Sequence, residues 1–277
     1  RWGDREWWNG GYEARGGLTN YLKNGYVADD KTNESVARTL EFALSDYCIA
    51  QMAKALGKTA DYEDLMRRAK NYRYLYNPKT KLFQARNADG SWAGEHSGFT
   101  EGANWTYQFC VMQDVQGLID LMGGDESFAA ALDNVFDNGH YRHDNEPGHH
   151  YVYLYNYCGR FDKAQERIPE ILDTHYRNGA DGLSGNDDCG QMSAWYLFSS
   201  LGFYPVTPAS GEYALGIPRF PSARVELPHG KVLTVRAEGL KEHKHLPVIL
   251  FNGKKLDAPF IDIRDLMKGG VLEFKAE

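Results

Sequence analysis

The chain has 277 residues, 42% of them apolar, and a net charge of −7. Acidic and basic residues are mixed along it, which argues against nucleic acid as the main partner. No apolar run approaches the length of a membrane span. Four cysteines lack CxxC spacing, so they read as buried thiols and not as a zinc site. Aromatics reach 13%, with 18 Tyr and 6 Trp, which suits either a sugar-binding cleft or a wide helical core. The chain opens Arg1-Trp2-Gly3-Asp4 without an apolar leader or an initiating Met. The expectation is a mature product or a piece of something longer.

Residues 1–33, rich in Gly, Trp and Asn, predict irregular chain. A helix is predicted from Ser35, capped by Ser35 or Asn33, with Val36, Leu40, Ala43, Leu44, Tyr47, Ile49, Met52 and Leu56 on one period and Gly57 at its end. A second runs from Asp61 to Tyr76, and Asn77-Pro78 breaks it. A hairpin is expected around Asp89-Gly90. Thr100 opens a long helical pattern that ends at Gly123-Gly124. Further helices are predicted over Ser127–Phe136, from Pro147 to Gly159, over Asp162–Tyr176, and from Cys189 to Leu201. After Pro208 the pattern turns to short strands, with Asn252-Gly253 as a hairpin signal. The predicted architecture is a mainly α helical region (1–208) followed by a small antiparallel β region (209–277).

Helices after long loops alternate with helices after short ones, the rhythm of hairpins with inner and outer members. Parallel inner helices would bring three acidic loops to one mouth: Thr100-Glu101-Gly102, Asp144-Asn145-Glu146-Pro147 and Asn186-Asp187-Asp188. Each carboxylate then sits at a helix N-terminus, where exposed N–H groups favour negative charge. One such loop is ordinarily a cap, and either Asp187 or Asp188 could fill that role. Three together would repel unless a cation or a shared proton relieved them. Oxygen ligands from several loops suit Ca²⁺, and paired carboxylates with water between them suit glycoside hydrolysis. His149 and His150 diverge as neighbours on a helix and lack a third N or S ligand, against a transition metal. Trp105 and Trp195 either line a cleft or fill the core.

At these loops residues 26–220 resemble the catalytic region of glycoside hydrolase family 92, the calcium-dependent exo-acting α-mannosidases. The resemblance is carried by Thr39-Leu40-Glu41-Phe42-Ala43-Leu44-Ser45-Asp46, by Thr100 through Tyr107, by Asp114-Val115-Gln116-Gly117-Leu118, by Asn145-Glu146-Pro147 and by Gly185 through Val206. It implies part of an (α/α)6 barrel joined to a β-sandwich. It implies removal of terminal α-linked mannose with inversion, assisted by a Ca²⁺ that contacts the sugar 2- and 3-hydroxyls. Glu101 would be the general acid and Asp188 the base, with Asp187 beside it in the catalytic set. Asn186 stands where some relatives carry a further Asp, which favours Asp188 over a shared base. Trp105, Asn145, His149 and Asn186 would bind the sugar, and Glu146 with Asn145 the Ca²⁺. Two carboxyls serving inversion would stand about 6.5–9.5 Å apart.

The resemblance also implies mannose-containing glycans as partners, among them N-glycans undergoing degradation, and a periplasmic or secreted location. Family enzymes are longer, with an N-terminal β-sandwich that walls the sugar site and has no counterpart here. The chain therefore reads as one half of a site completed by another segment. The alternatives are another (α/α)6 carbohydrate-active enzyme and a non-catalytic glycan-binding fragment.

Overall fold

The computed structural model describes residues 15–276, so the start of the expected irregular segment lies outside the described residues. The chain divides into two compact units. One runs to Met122 and takes in Asn138–Tyr141; the other holds Gly123–Asp137 and the chain from Arg142 onward. The change of character at residue 209 falls inside the second unit.

The first unit opens with α1 (Leu18–Asn24), where irregular chain was expected. Gly25 takes a left-handed φ of 82° and its N–H returns to the Tyr21 carbonyl at 3.0 Å, a helix-ending turn the Gly- and Asn-rich composition hides. Tyr21 is fully buried, edge-on to Phe42 at 5.4 Å, and its hydroxyl donates to Asp46. Helix α2 (Ser35–Ala55) matches expectation at its N-terminal half, where Val36, Leu40 and Ala43 are buried. Ile49, Met52 and Leu56 follow the same period yet are exposed. The cap is neither Ser35 nor Asn33: Glu34 occupies that position at φ 55° with no side-chain capping bond. The second predicted helix is shorter, α3 (Thr59–Arg68), followed by a 3₁₀ segment, Asn71–Leu75. Strands β1 (Tyr76–Asn77) and β2 (Leu82–Phe83) pair antiparallel, and an Arg86–Trp92 bridge closes the turn at Asp89-Gly90.

The long helix expected from Thr100 is broken into α4 (Asn104–Tyr107), a 3₁₀ turn and α5 (Val115–Met122). Between them Tyr107, Gln108, Phe109, Cys110 and Val111 are all buried. A run buried on every side carries no period to separate helix from irregular core chain.

In the second unit α6 (Asp125–Asp137), α7 (Phe161–His175) and α8 (Gln191–Leu201) lie where predicted, within a few residues. The helix expected from Pro147 to Gly159 is instead 3₁₀, as Glu146–Gly148 and Tyr151–Cys158. Its Tyr-Val-Tyr-Leu-Tyr run is wholly buried, and aromatic and β-branched residues are poor α-helix formers.

Three-stranded and five-stranded sheets complete this unit. Strands β3 (Phe203–Tyr204), β4 (Glu212–Leu215), β5 (Ser222–Glu226), β6 (Val232–Ala237), β7 (Val248–Phe251), β8 (Lys254–Lys255) and β9 (Phe260–Asp262) are followed by a helical turn, α9 (Ile263–Leu266), and β10 (Gly270–Lys275). Asn252-Gly253 makes the predicted β7–β8 hairpin, both residues at positive φ. The region is mixed and not purely antiparallel: β10 inserts between β6 and β7 and runs parallel to β6. The three strands between β6 and β10 supply the long crossover that a parallel pair needs. The Asn156 and Gln165 amides donate to the Leu215 and Gly216 carbonyls, tying sheet to helices.

Candidate active site

The Asp187-Asp188 pair divides its labour. Gly190 holds the cap position of α8, and Asp187 caps the helix from outside it: its carboxylate accepts from the Ser193 backbone N–H at 2.9 Å and from the Ser193 hydroxyl at 3.1 Å. Two of the donors left open at the start of α8 are met from this residue, since Met192 N–H reaches the Asp187 carbonyl. Asp188 is different. It is exposed, and its carboxylate has no partner among the described residues. Its backbone is left-handed at φ 42°, followed by Cys189 at 58° and Gly190 at 91°. A left-handed non-glycine residue costs roughly 1 kcal/mol, and two in succession mark a place where strain accompanies function.

The neighbouring acidic loop meets this one through backbone. A Cβ added at Gly185 would lie 2.2 Å from the Asp144 carbonyl oxygen, so only glycine permits the approach. The Asp144 carboxylate is clasped by Arg142, which holds it below the ordinary carboxylate range. Asn145 caps the 3₁₀ turn, its side chain accepting from Glu146 N–H at 3.1 Å. Glu146 is half-buried.

Beneath these loops lies a buried aromatic and imidazole network. Gln191, the first residue of α8, donates its amide to His149 Nδ1 at 3.2 Å and to the Tyr204 hydroxyl at 3.0 Å. A donor at Nδ1 places the His149 proton on Nε2, which gives it to the His143 carbonyl at 3.1 Å. Trp195 Nε1 donates to the His149 carbonyl, and Trp195 stacks on Tyr176 with the rings 2° from parallel. Burial holds His143 down to about 2 and lowers His149, so both are neutral. Burial pushes Tyr204 up to about 12, with the Glu146 charge adding to it.

One expectation changes here. His149, expected to bind sugar, is 2% exposed with both ring nitrogens spent on protein, so it positions other groups. Trp195 is fully buried and belongs to the core. Asn186 is exposed beside Asp187, as a sugar contact requires. Gln191, Tyr204 and Gly185 lie in the quoted 185–206 stretch but had no role assigned to them there; only their place around the acidic loops could have given one.

Glu101 and Trp105 belong to the first unit. Glu101 is exposed and left-handed at φ 50°. Its loop is pinned by the Tyr107 hydroxyl, which donates to the Thr100 carbonyl at 2.8 Å, and by Ala103 N–H, which donates to Thr106 Oγ1. Trp105 is half-exposed and lies flat on His140, with ring centroids 4.4 Å apart. Glu41, in a quoted motif but without an assigned role, meets solvent on one side and is crowded by protein on the other. Desolvation pushes its carboxyl up.

For a hard cation the second unit offers the Glu146 carboxylate and the Asn145 amide oxygen, with the Gln191 carbonyl oxygen as the unused end of its amide. That donor chemistry fits Ca²⁺, which accepts carboxylate, amide, backbone carbonyl and water oxygens together. Among the described residues no three His, Cys, Asp or Glu side chains gather as a metal cluster. Water, carbonyls and sugar hydroxyls would have to complete the shell.

Comparison with known proteins gives this arrangement its family. Residues 3–277 match the glycosyl hydrolase family 92 catalytic domain, and the chain belongs to that family. The structure aligns with the family GH92 alpha-mannosidase BT3965 from Bacteroides thetaiotaomicron at a TM-score of 0.89 and 42% identity, covering 93% of this chain and 36% of that one. It aligns with the inverting mannosidase BT2199 from Bacteroides thetaiotaomicron VPI-5482 at 0.87 and 34% identity, over 94% of this chain and 39% of that one. An uncharacterized secreted glycosidase from Arthroderma benhamiae is 28% identical over 94% of this chain and 39% of its own length. The chain thus spans less than two-fifths of the length of these relatives. Among the described residues no helix is long and apolar enough to cross a membrane.

Proposed function

We propose that the chain supplies the acid, the base and part of the sugar site of an exo-α-mannosidase that works by single displacement with inversion. The observation that carries this is the division between Asp187 and Asp188: one carboxylate is spent on the helix, and its neighbour is left bare on a strained turn. Glu101 gives its proton to the glycosidic oxygen as the bond breaks. Asp188 takes a proton from the water that attacks the opposite face of the sugar. Asn145, Glu146 and Gln191 would hold a Ca²⁺. Bound there, the ion orients and polarises the sugar diol. Trp105 and Asn186 contact the mannose. The mannosidase relatives support the substrate class, and the chain's helices would belong to an (α/α)6 barrel; the relatives' greater length supports a sugar-site wall supplied by further chain. The secreted relative supports work outside the cytoplasm on mannose-bearing glycans.

The test is mannose release in the intact protein with and without a chelator. Activity should vanish in EDTA and return with Ca²⁺, and the first product seen by NMR should be β-mannose. Full turnover in EDTA would remove the cation from the account, and α-mannose as first product would remove inversion.

A further inference from the structure

The Glu101 segment is held at its far end by a carboxylate the proposed reaction does not use. Asp29, in the loop between α1 and α2, is half-buried, and its N–H is fixed to the Arg86 carbonyl at 2.8 Å. Its Oδ1 accepts from the Ser35 hydroxyl at 2.7 Å and its Oδ2 from the Ser97 hydroxyl at 2.6 Å. Ser35 is the first residue of α2, and Ser97 precedes Gly98. The Gly98 carbonyl accepts from the N–H groups of both Val36 and Ala37, at 2.9 and 3.0 Å. The start of α2 is therefore capped by the loop that leads to Glu101. Glu34, at the cap position, pairs its carboxylate with Arg38 instead. Gly98 has a φ of 86°, and a Cβ there would lie 2.6 Å from Ser35 Oγ, so the contact requires glycine. Three residues further on stands Glu101.

We propose that Asp29 is a positioning residue for Glu101: by bridging Ser35 and Ser97 it clamps residues 97–100 to the N-terminus of α2 and sets where the Glu101 carboxyl stands. Hydroxyl bonds to a carboxylate are short and strong, and a small displacement of an acid from its leaving group costs rate steeply. The proposal rests on Glu101 acting as the acid. Two variants probe it: Asp29→Ala removes both bonds, and Ser97→Ala removes the loop-side bond alone and spares α2. Asp29→Asn keeps the shape and should recover part of the loss.

The readout is kcat on α-mannosides whose leaving groups differ in basicity, in the intact protein. A poor leaving group needs the acid and a dinitrophenolate does not. Asp29→Ala and Ser97→Ala should lower kcat about 10-fold on a mannobiose and about twofold or less on dinitrophenyl α-mannoside, with KM little changed. Equal losses on both substrates, or none on either, overturn the proposal. Glu101→Gln, run in parallel, separates the two claims. If it shows the leaving-group dependence and the Asp29 and Ser97 variants do not, only the positioning role falls. If Glu101→Gln lacks it, the acid assignment falls and the positioning role with it.

Discussion

The loop that carries Glu101 and the loop that carries Asp188 solve the same problem in different ways. In both, the exposed acidic residue is left-handed, at φ 50° and 42°. In both, a glycine allows a backbone approach that no other residue would, Gly98 against Ser35 and Gly185 against Asp144. They differ in what holds them. The Glu101 loop is tied from a distance, by Asp29 through Ser97 and by Tyr107 through Thr100. The Asp188 loop is tied by the adjacent Asp187, over a buried histidine and tryptophan network. Asp188 is thus kept free because a second carboxylate, Asp187, does the structural work.

The largest expected effect separates the two aspartates. Asp188→Gly should cost about 10²–10⁴-fold in kcat and, by relieving the left-handed turn, leave stability unchanged or raised by up to about 1 kcal/mol. Chemical denaturation beside steady-state kinetics checks both; a destabilised Asp188→Gly would show that this carboxylate is structural after all.

Next come the glycines. Gly185→Ala forces a methyl onto a backbone carbonyl that cannot swing aside, whereas at Gly98 the first obstacle is a hydroxyl. Each should lose about 1–3 kcal/mol, Gly185→Ala the more; the reverse order would misplace the tighter contact. Asp187→Ala should lose about 1 kcal/mol, the usual cost of a missing cap, with a smaller fall in kcat than Asp188→Gly.

The most gradual effect is set by pH. His143 and His149 are held neutral in the fold, below their ordinary value. The unfolded chain binds their protons first, so their contribution is whole above about pH 6.5 and is lost as pH falls below it, by about 1 kcal/mol per unit for each. Hydrogen exchange should therefore rise in acid at residues 186–193 before it rises at 97–103. Simultaneous loosening of both loops would contradict this.

How much of this was legible in the sequence follows from what each signal encodes. Helices with one apolar face, such as α6 and α7, showed a clean period, and Gly202 marked the end of α8. Residues 107–111 and 151–156 are buried on all sides, so their apolar runs said only that they lie in the core. The acidic loops stood out by composition, yet which aspartate caps and which is free depends on backbone angles that two adjacent identical residues cannot reveal. Asp29, Gln191 and Tyr204 act through contacts distant in sequence, and no local pattern announces them. Burial of His149 likewise lay beyond what the neighbouring Asn145-Glu146-Pro147 motif could tell.

The central claim, that Asp188 and not Asp187 activates the attacking water, is tested most directly by azide rescue of Asp188→Gly with an activated aryl α-mannoside. Azide fills the space of the lost carboxylate and attacks as the water would. The account predicts restored turnover and β-mannosyl azide as product. No rescue in Asp188→Gly alongside rescue in Asp187→Gly, or α-mannosyl azide as product, would contradict it.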